Sequence, residues 1–185
     1  MKMQLLDKIL TDTKGSVLVF SRTKHGAKKI AASVRHMGHE AVEMHSDRSL
    51  AQRRAALEGF KMGRFRILVA TDIAARGIDV SGIELVVNYD LPASSEDYVH
   101  RIGRTGRAGK SGKAVSFAAP EERGDLKQIE RLIRKTLAVL PLPVLPPRRT
   151  PPPKPSFQPG GFKPHFGQGQ KPQHKFQRHF SHPSR

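Results

Sequence analysis

Short apolar runs alternate with amphipathic stretches through the first 140 residues. "SVLVFS" (16–21) is apolar and β-branched throughout, the pattern of a strand buried on both faces. "KHGAKKIAASVRHMG" (24–38) instead puts Ala27, Ile30, Val34 and Met37 on one helical stripe and stops at Gly38. "EAVEMH" (40–45) is the next strand. Ser49 and Gln52 have capping-box spacing and open a helix to about Met62, halted by Gly63. "RILVAT" (66–71), "IELVVNY" (83–89) and "KAVSFAA" (113–119) complete five strands. Ser94 and Asp97 open a further helix, and residues 121–138 form a closing one. Strands alternating with helices predict an α/β fold, a mostly parallel sheet covered by helices on both faces. Ligands in such sheets bind beyond the carboxyl ends of the strands.

The pattern breaks near Pro141. "LPLPVLPPRRTPPPKPSF" is too proline-rich for helix or central strand, and no apolar period follows it. The expected organisation is a folded domain over 1–138 and a disordered basic Pro/Gly tail over 139–185. In that tail Phe157, Phe162, Phe166, Phe176 and Phe180 alternate with Lys, Arg and His. Rings that stack on bases and cations that follow phosphates suit single-stranded nucleic acid, while a solubilising linker has the same composition. The 185 residues carry a net charge of +17, of which +9 falls in the first 140 residues, so a polyanionic partner is expected. The absence of cysteine excludes disulfides and thiolate metal sites, and the nine histidines show no metal-binding spacing. "MKMQLLDKIL" has neither a long apolar run nor a cleavage site. A monomer in the cytoplasm, with no membrane contact and no metal ligand of its own, is expected.

Two segments carry candidate chemistry. In "VATDIAARGIDV" (69–80), Thr71 and Asp72 stand just past a strand end, where a hydroxyl and free N–H groups can hold a phosphate oxygen. Gly77 permits a tight turn or close approach, and Asp79 is placed to accept from sugar hydroxyls. Both aspartates could equally cap turns. In "DYVHRIGRTGRAG" (97–109), Arg101, Arg104 and Arg107 are separated by Gly103 and Gly106. A guanidinium is planar, always charged and forked, which matches phosphate bidentately. Arg104 and Arg107 are spaced to reach one phosphoryl group, and His100 adds a group that exchanges protons near neutrality. Crowded like charges are costly without an anion to neutralise them. The glycines follow a helix, not a strand, so a dinucleotide fingerprint fails its context.

Taken together, "VLVFSRTK" (17–24), "HSDRSLAQRR" (45–54), "VATDIAARGID" (69–79) and "YVHRIGRTGRAG" (98–109) resemble, in order and spacing, the C-terminal motifs of DEAD-box ATP-dependent RNA helicases. The resemblance covers roughly residues 1–138. It implies a RecA-like domain, the second lobe of a superfamily 2 enzyme of bacterial type. It implies that Arg104 and Arg107 are arginine fingers on the terminal phosphate of ATP, and that His100 and Arg101 couple the lobes and order the nucleotide site. Asp79 would contact the ribose, with Gly77 beside it. Arg22, Thr23, Gln52, Arg53, Thr71 and Arg76 would face the RNA backbone or link it to the nucleotide. One departure is visible in "HSD" (45–47), where many members have glycine in place of Ser46.

The same resemblance implies what another lobe supplies. The sequence holds no GxxxxGK[ST] phosphate loop and no DEAD tetrapeptide. In the family both lie on an N-terminal RecA-like lobe, which also holds most of the Mg2+ site. The expectation is a C-terminal half that hydrolyses no ATP alone. A stand-alone RNA-binding module without ATPase activity is the alternative, and a DNA translocase is disfavoured by the "HRIGRTGR" string.

Overall fold

The computed structural model describes residues 1–76, 82–106 and 112–145. All of them belong to one compact unit, Met1–Arg148. Six helices and five strands follow in the order α1 (Lys2–Asp12), β1 (Val17–Phe20), α2 (Lys24–His36), β2 (Ala41–Met44), α3 (Leu50–Lys61), β3 (Ile67–Ala70), α4 (Asp72–Ala75), β4 (Leu85–Asn88), α5 (Ser95–Ile102), β5 (Lys113–Ser116) and, after a 3-10 turn at Pro120–Glu122, α6 (Arg123–Ile133). The strands pair in the order β2-β3-β1-β4-β5, every pair parallel. This is the covered parallel sheet expected from the sequence. No helix of the described residues is long and apolar enough to cross a membrane.

The period of two along each strand feeds two cores. Val17 and Val19 join Ile67, Val69, Leu85 and Val87 on one face, under Ile30 and Val34 of α2. Leu18 and Phe20 join Leu68, Ala70 and Val86 on the other face, under Phe60 of α3 and Ala74 of α4. Residues that read as continuous apolar runs are therefore buried on both sides. The Ser49–Gln52 capping box forms as read: the Ser49 hydroxyl accepts from the Gln52 N–H at 3.2 Å, and the Gln52 carbonyl accepts from the Ser49 N–H at 3.0 Å.

The structure departs from the reading at both ends of the domain. Lys2–Asp12 form α1, a segment to which the sequence pattern assigns no element. Leu6 and Leu10 are fully buried against α2 and the sheet. Arg66 caps the end of α1, donating to the carbonyls of Thr13 at 2.8 Å and Leu10 at 3.0 Å. The closing helix stops at Ile133, five residues short of the expected end. Arg134 takes the left-handed conformation (φ 51°, ψ 37°) and turns the chain. Leu137 still packs against the α5–α6 cluster, so the apolar spacing that suggested more helix is met by a segment without regular structure. Residues 135–145 contain no helix or strand, and the rest of the tail lies outside the described residues.

Candidate nucleotide- and RNA-binding edge

The strand registers align Met44, Ala70, Phe20 and Asn88 at the carboxyl edge of the sheet. The next residues, His45, Thr71, Ser21 and Tyr89, therefore head the loops along one rim. The expected site residues that the structure describes come from these loops, from the first turn of α3, and from α5 and the turn after it.

Arg101 is the anchor of the rim. It is 1% exposed. Its Nε and Nη2 donate to the two carboxylate oxygens of Asp72 at 2.6 and 2.7 Å, a fork-to-fork pair. Its Nη1 donates to the Asn88 side-chain oxygen at 3.2 Å and to the Asp90 carbonyl at 2.7 Å. The guanidinium carbon lies 5.0 Å from the centre of the Phe20 ring. Arg101 thus joins α5, α4 and the ends of β1 and β4. Its donors are occupied within the domain, and its place is beneath the surface.

Above it lies a shallow groove lined by Phe20, Asp72, Ala75, Arg76, Asp97, His100, Arg101 and Arg104. Ile102 ends α5, Gly103 caps it, and half-buried Arg104 follows on the groove wall. Thr105 fixes this turn by donating to the Ile83 carbonyl at 2.6 Å, and Gly106 adopts φ 68°, open to glycine at little cost. Arg76 is two-thirds exposed and donates to Asp97 at 3.1 Å. Burial would raise the Asp97 pKa, but hydrogen bonds from Arg76 and Ser94, with the charges of Arg76 and Arg101, hold it below the usual carboxylate value. Both carboxylates of the groove are paired with arginine, while Arg76, His100 and Arg104 line the same groove. That donor set fits a polyphosphate. Gly77, Asp79 and Arg107 lie outside the described residues.

The RNA-facing candidates lie on neighbouring loops and in the first turn of α3. Thr23 caps α2, its hydroxyl accepting from the Gly26 N–H at 3.0 Å. Gln52 is held in the α3 capping box. Arg22 bridges loops: its backbone N–H donates to Asp90 at 3.0 Å, its guanidinium to the Leu91 carbonyl at 3.2 Å, and it pairs with Glu122 at 3.4 Å. Thr71 is 9% exposed, and its N–H donates to the Met44 carbonyl at 3.3 Å. Arg53 sits half-buried in the first turn of α3, its Nε enclosed without a hydrogen-bond partner among the described residues.

Sequence reasoning gave no role to four residues that shape this edge. Asn88 and Asp90 orient Arg101 and the β1–α2 loop. His45 is 2% exposed, neither ring nitrogen has a hydrogen-bond partner among the described residues, and it lies 3.8 Å from Glu43. Glu43, buried in β2, pairs with Arg35 at 3.3 Å and with Arg48. Burial pushes its pKa up, and the two arginines override that and hold it below the ordinary value. A glutamate among apolar strand residues was the available signal. No cluster of three or more His, Asp or Glu suited to a metal occurs among the described residues.

Comparison with known proteins places this edge in a family. The family described as "Helicase conserved C-terminal domain" matches residues 1–109. The ATP-dependent RNA helicase DBP2 of Lodderomyces elongisporus is 46% identical over 135 residues, which cover 71% of this chain and 24% of the relative. The DEAD-box ATP-dependent RNA helicase CshA of Geobacillus kaustophilus is 47% identical over 128 residues, 69% of this chain and 27% of that one. The chain thus spans about a quarter of the length of these curated relatives. E. coli DEAD-box protein SrmB, solved bound to the regulator of ribonuclease activity A, superposes with a TM-score of 0.72 at 33% identity, covering 82% of this chain and 90% of that one. The C-terminal domain of the DEAD-box protein Dbp5 gives 0.66 at 34% identity, covering 71% and 78%. Sequence motifs, sheet order and these matches agree, and the chain belongs to the helicase conserved C-terminal domain family, in its DEAD-box branch.

Proposed function

We propose that this domain is the second lobe of an ATP-dependent RNA helicase, contributing arginine fingers and part of the RNA-backbone surface to a site completed by a first lobe. The observation that carries the reading is the pair of fates for neighbouring arginines. Arg101 is locked into the rim by Asp72, Asn88 and Asp90, and Arg104 leaves that fixed point toward the groove.

The first lobe carries the phosphate loop and DEAD sequence that this chain lacks, and with it most of the Mg2+ site. The metal neutralises charge on the phosphates of bound ATP. This chain's part is to place Arg104 and Arg107 against charge that develops on the transferred phosphoryl. Arginine fingers contribute ~10³–10⁵ in rate in other nucleotidases. That corresponds to about 4–7 kcal/mol of barrier. Asp79 and Gly77 take the ribose side, and His100 stands at the lobe-facing rim. Arg22, Thr23, Gln52, Arg53, Thr71 and Arg76 line the RNA side. Phosphate and 2′-OH contacts there bind without reading sequence. The folded lobe over 1–138 is joined to a basic tail over 139–185 that holds RNA nearby.

The test is RNA-stimulated ATP hydrolysis after joining this chain to a matching first lobe. Arg104→Ala and Arg107→Ala each lower kcat by about a thousandfold or more. The chain alone shows no hydrolysis above buffer. Unchanged turnover in both variants, or robust hydrolysis by the chain alone, overturns the reading.

A further inference from the structure

Helix α6 carries a row of cations that the proposed ATP and RNA contacts do not use. Arg123, Lys127 and Arg131 recur every fourth residue, so they stand on one side of the helix about 6 Å apart. Arg134 and Lys135 extend the row past its end. All five are exposed, and none makes an ion pair or side-chain hydrogen bond among the described residues. The acids nearby are fewer than these cations and make no ion pair with them among the described residues. The Glu130 carboxylate accepts from the Leu137 N–H at 2.8 Å, Glu122 pairs with Arg22 and Lys2, and Asp125 projects from the opposite flank.

The two ends of the ridge carry cations at some cost to the fold, one electrostatic and one in the backbone. Arg123 opens α6, where the helix dipole disfavours positive charge. Arg134 is the non-glycine residue with positive φ among the described residues, at the α6 C-cap, where glycine fits with less strain. The dipole favours the charge of Arg134, so only Arg123 stands against it, while Arg134 keeps an arginine where glycine is less strained.

The position of the ridge selects its anion. Glu122, immediately before α6, contacts Arg22, so the ridge starts beside the β1–α2 loop and its RNA-facing candidates. In sequence the charge continues through Arg148, Arg149 and Lys154. We propose that the α6 ridge of Arg123, Lys127, Arg131, Arg134 and Lys135 is a second RNA-backbone contact, gripping a strand that has left the sheet edge. Its cation spacing is comparable to that of successive phosphates along a strand. It reads no bases and acts as a holdfast on RNA flanking the site. The inference rests on RNA being the partner polyanion, but it requires neither ATP nor the first lobe.

The test uses the full chain and a fluorescent RNA duplex with a single-stranded overhang, titrated by anisotropy at several salt concentrations. The ridge variant combines Arg123→Gln, Lys127→Gln, Arg131→Gln and Lys135→Gln. The control combines Lys14→Gln, Lys61→Gln, Arg64→Gln and Lys113→Gln, exposed cations of equal number at the opposite edge of the sheet. The ridge variant is expected to lose about 3 in the slope of log K against log salt, from ~0.7 per phosphate contact. The control changes it by less than a third of that. Arg134→Gly is expected to weaken binding while the melting temperature holds or rises. If the ridge variant melts early, the pair Lys127→Gln and Arg131→Gln replaces it and is expected to give half the slope change. Equal losses in ridge and control variants, an unchanged slope in the ridge variant, or no RNA binding by the wild-type chain would each overturn the proposal. Ridge-dependent binding to phosphatidylserine vesicles without ridge-dependent RNA binding would overturn it as well.

Discussion

Replacing Arg101 by methionine keeps an aliphatic stem in the rim but removes four hydrogen bonds at once. The Asp72 carboxylate loses both partners, and Asn88 and the Asp90 carbonyl lose theirs. Breaking one side of a buried ion pair costs about 3–5 kcal/mol, because the remaining charge stays desolvated. Asp72 is 22% exposed, so water partly compensates it, and the lower end, about 3 kcal/mol, is expected. Against a domain stability of about 5–15 kcal/mol this is a large fraction. With m near ~2 kcal/mol/M, the urea midpoint falls by about 1.5 M. The partner variant Asp72→Leu also destabilises. The double variant recovers much of the loss, because an apolar pair no longer strands a charge. Urea unfolding of the four proteins, followed by far-UV circular dichroism, gives the coupling energy directly. A cost below about 1 kcal/mol for Arg101→Met, or additive single effects, would refute the anchor argument.

Other outcomes follow from the same contacts. Glu43 and Asp97 have depressed pKa values in the folded chain. Their stabilisation is therefore present above the ordinary carboxylate value near ~4 and is lost as pH falls through the lower folded value. Glu43→Gln should flatten the acid limb of a stability–pH curve below about pH 4, and an unchanged limb would count against the Arg35–Glu43–Arg48 cluster. Leu10→Ala, at the fully buried face of α1, should cost about 2–4 kcal/mol in urea unfolding. Deleting 141–185 removes eight Lys and Arg and should weaken RNA binding and lower the salt slope. An unchanged slope would make the tail inert.

Most of the fold was legible because each β-strand reads as a strong local signal. Three of the five, β1, β3 and β4, are nearly continuous apolar runs, and only a strand covered on both faces tolerates that. The β2 strand carries Glu43 inside such a run, a local conflict resolved by two arginines from other segments. Helix α1 has helical apolar spacing, Leu6 and Leu10 with Met3, Leu5 and Ile9 beside them, but it lacks the side-chain N-cap that marks the start of α2, α3 and α5. Its docking depends on Arg66, distant in sequence. At the candidate site, residue types pointed to segments that the fold gathers along one rim, but not to the division of labour within them. Thr23 and Gln52 are helix caps as well as candidate RNA contacts. A motif string alone does not distinguish the two duties.

The arginine string shows why tertiary context decides. Arg101 and Arg104 are three residues apart, and on a continuing helix they would share one face. Arg104 would then be drawn toward the same buried rim that Arg101 fills. The helix instead ends at Ile102 and Gly103 caps it. A Cβ at Gly103 would come within 3.1 Å of the Val99 carbonyl oxygen, so the cap is closely fitted as well as permissive. Thr105 then fastens the following turn to Ile83, and Arg104 emerges on the groove wall. The glycines in "HRIGRTGR" therefore need not bind phosphate themselves. Gly103 ends the helix between two like side chains, so that one secures the sheet edge and the next stands at the groove.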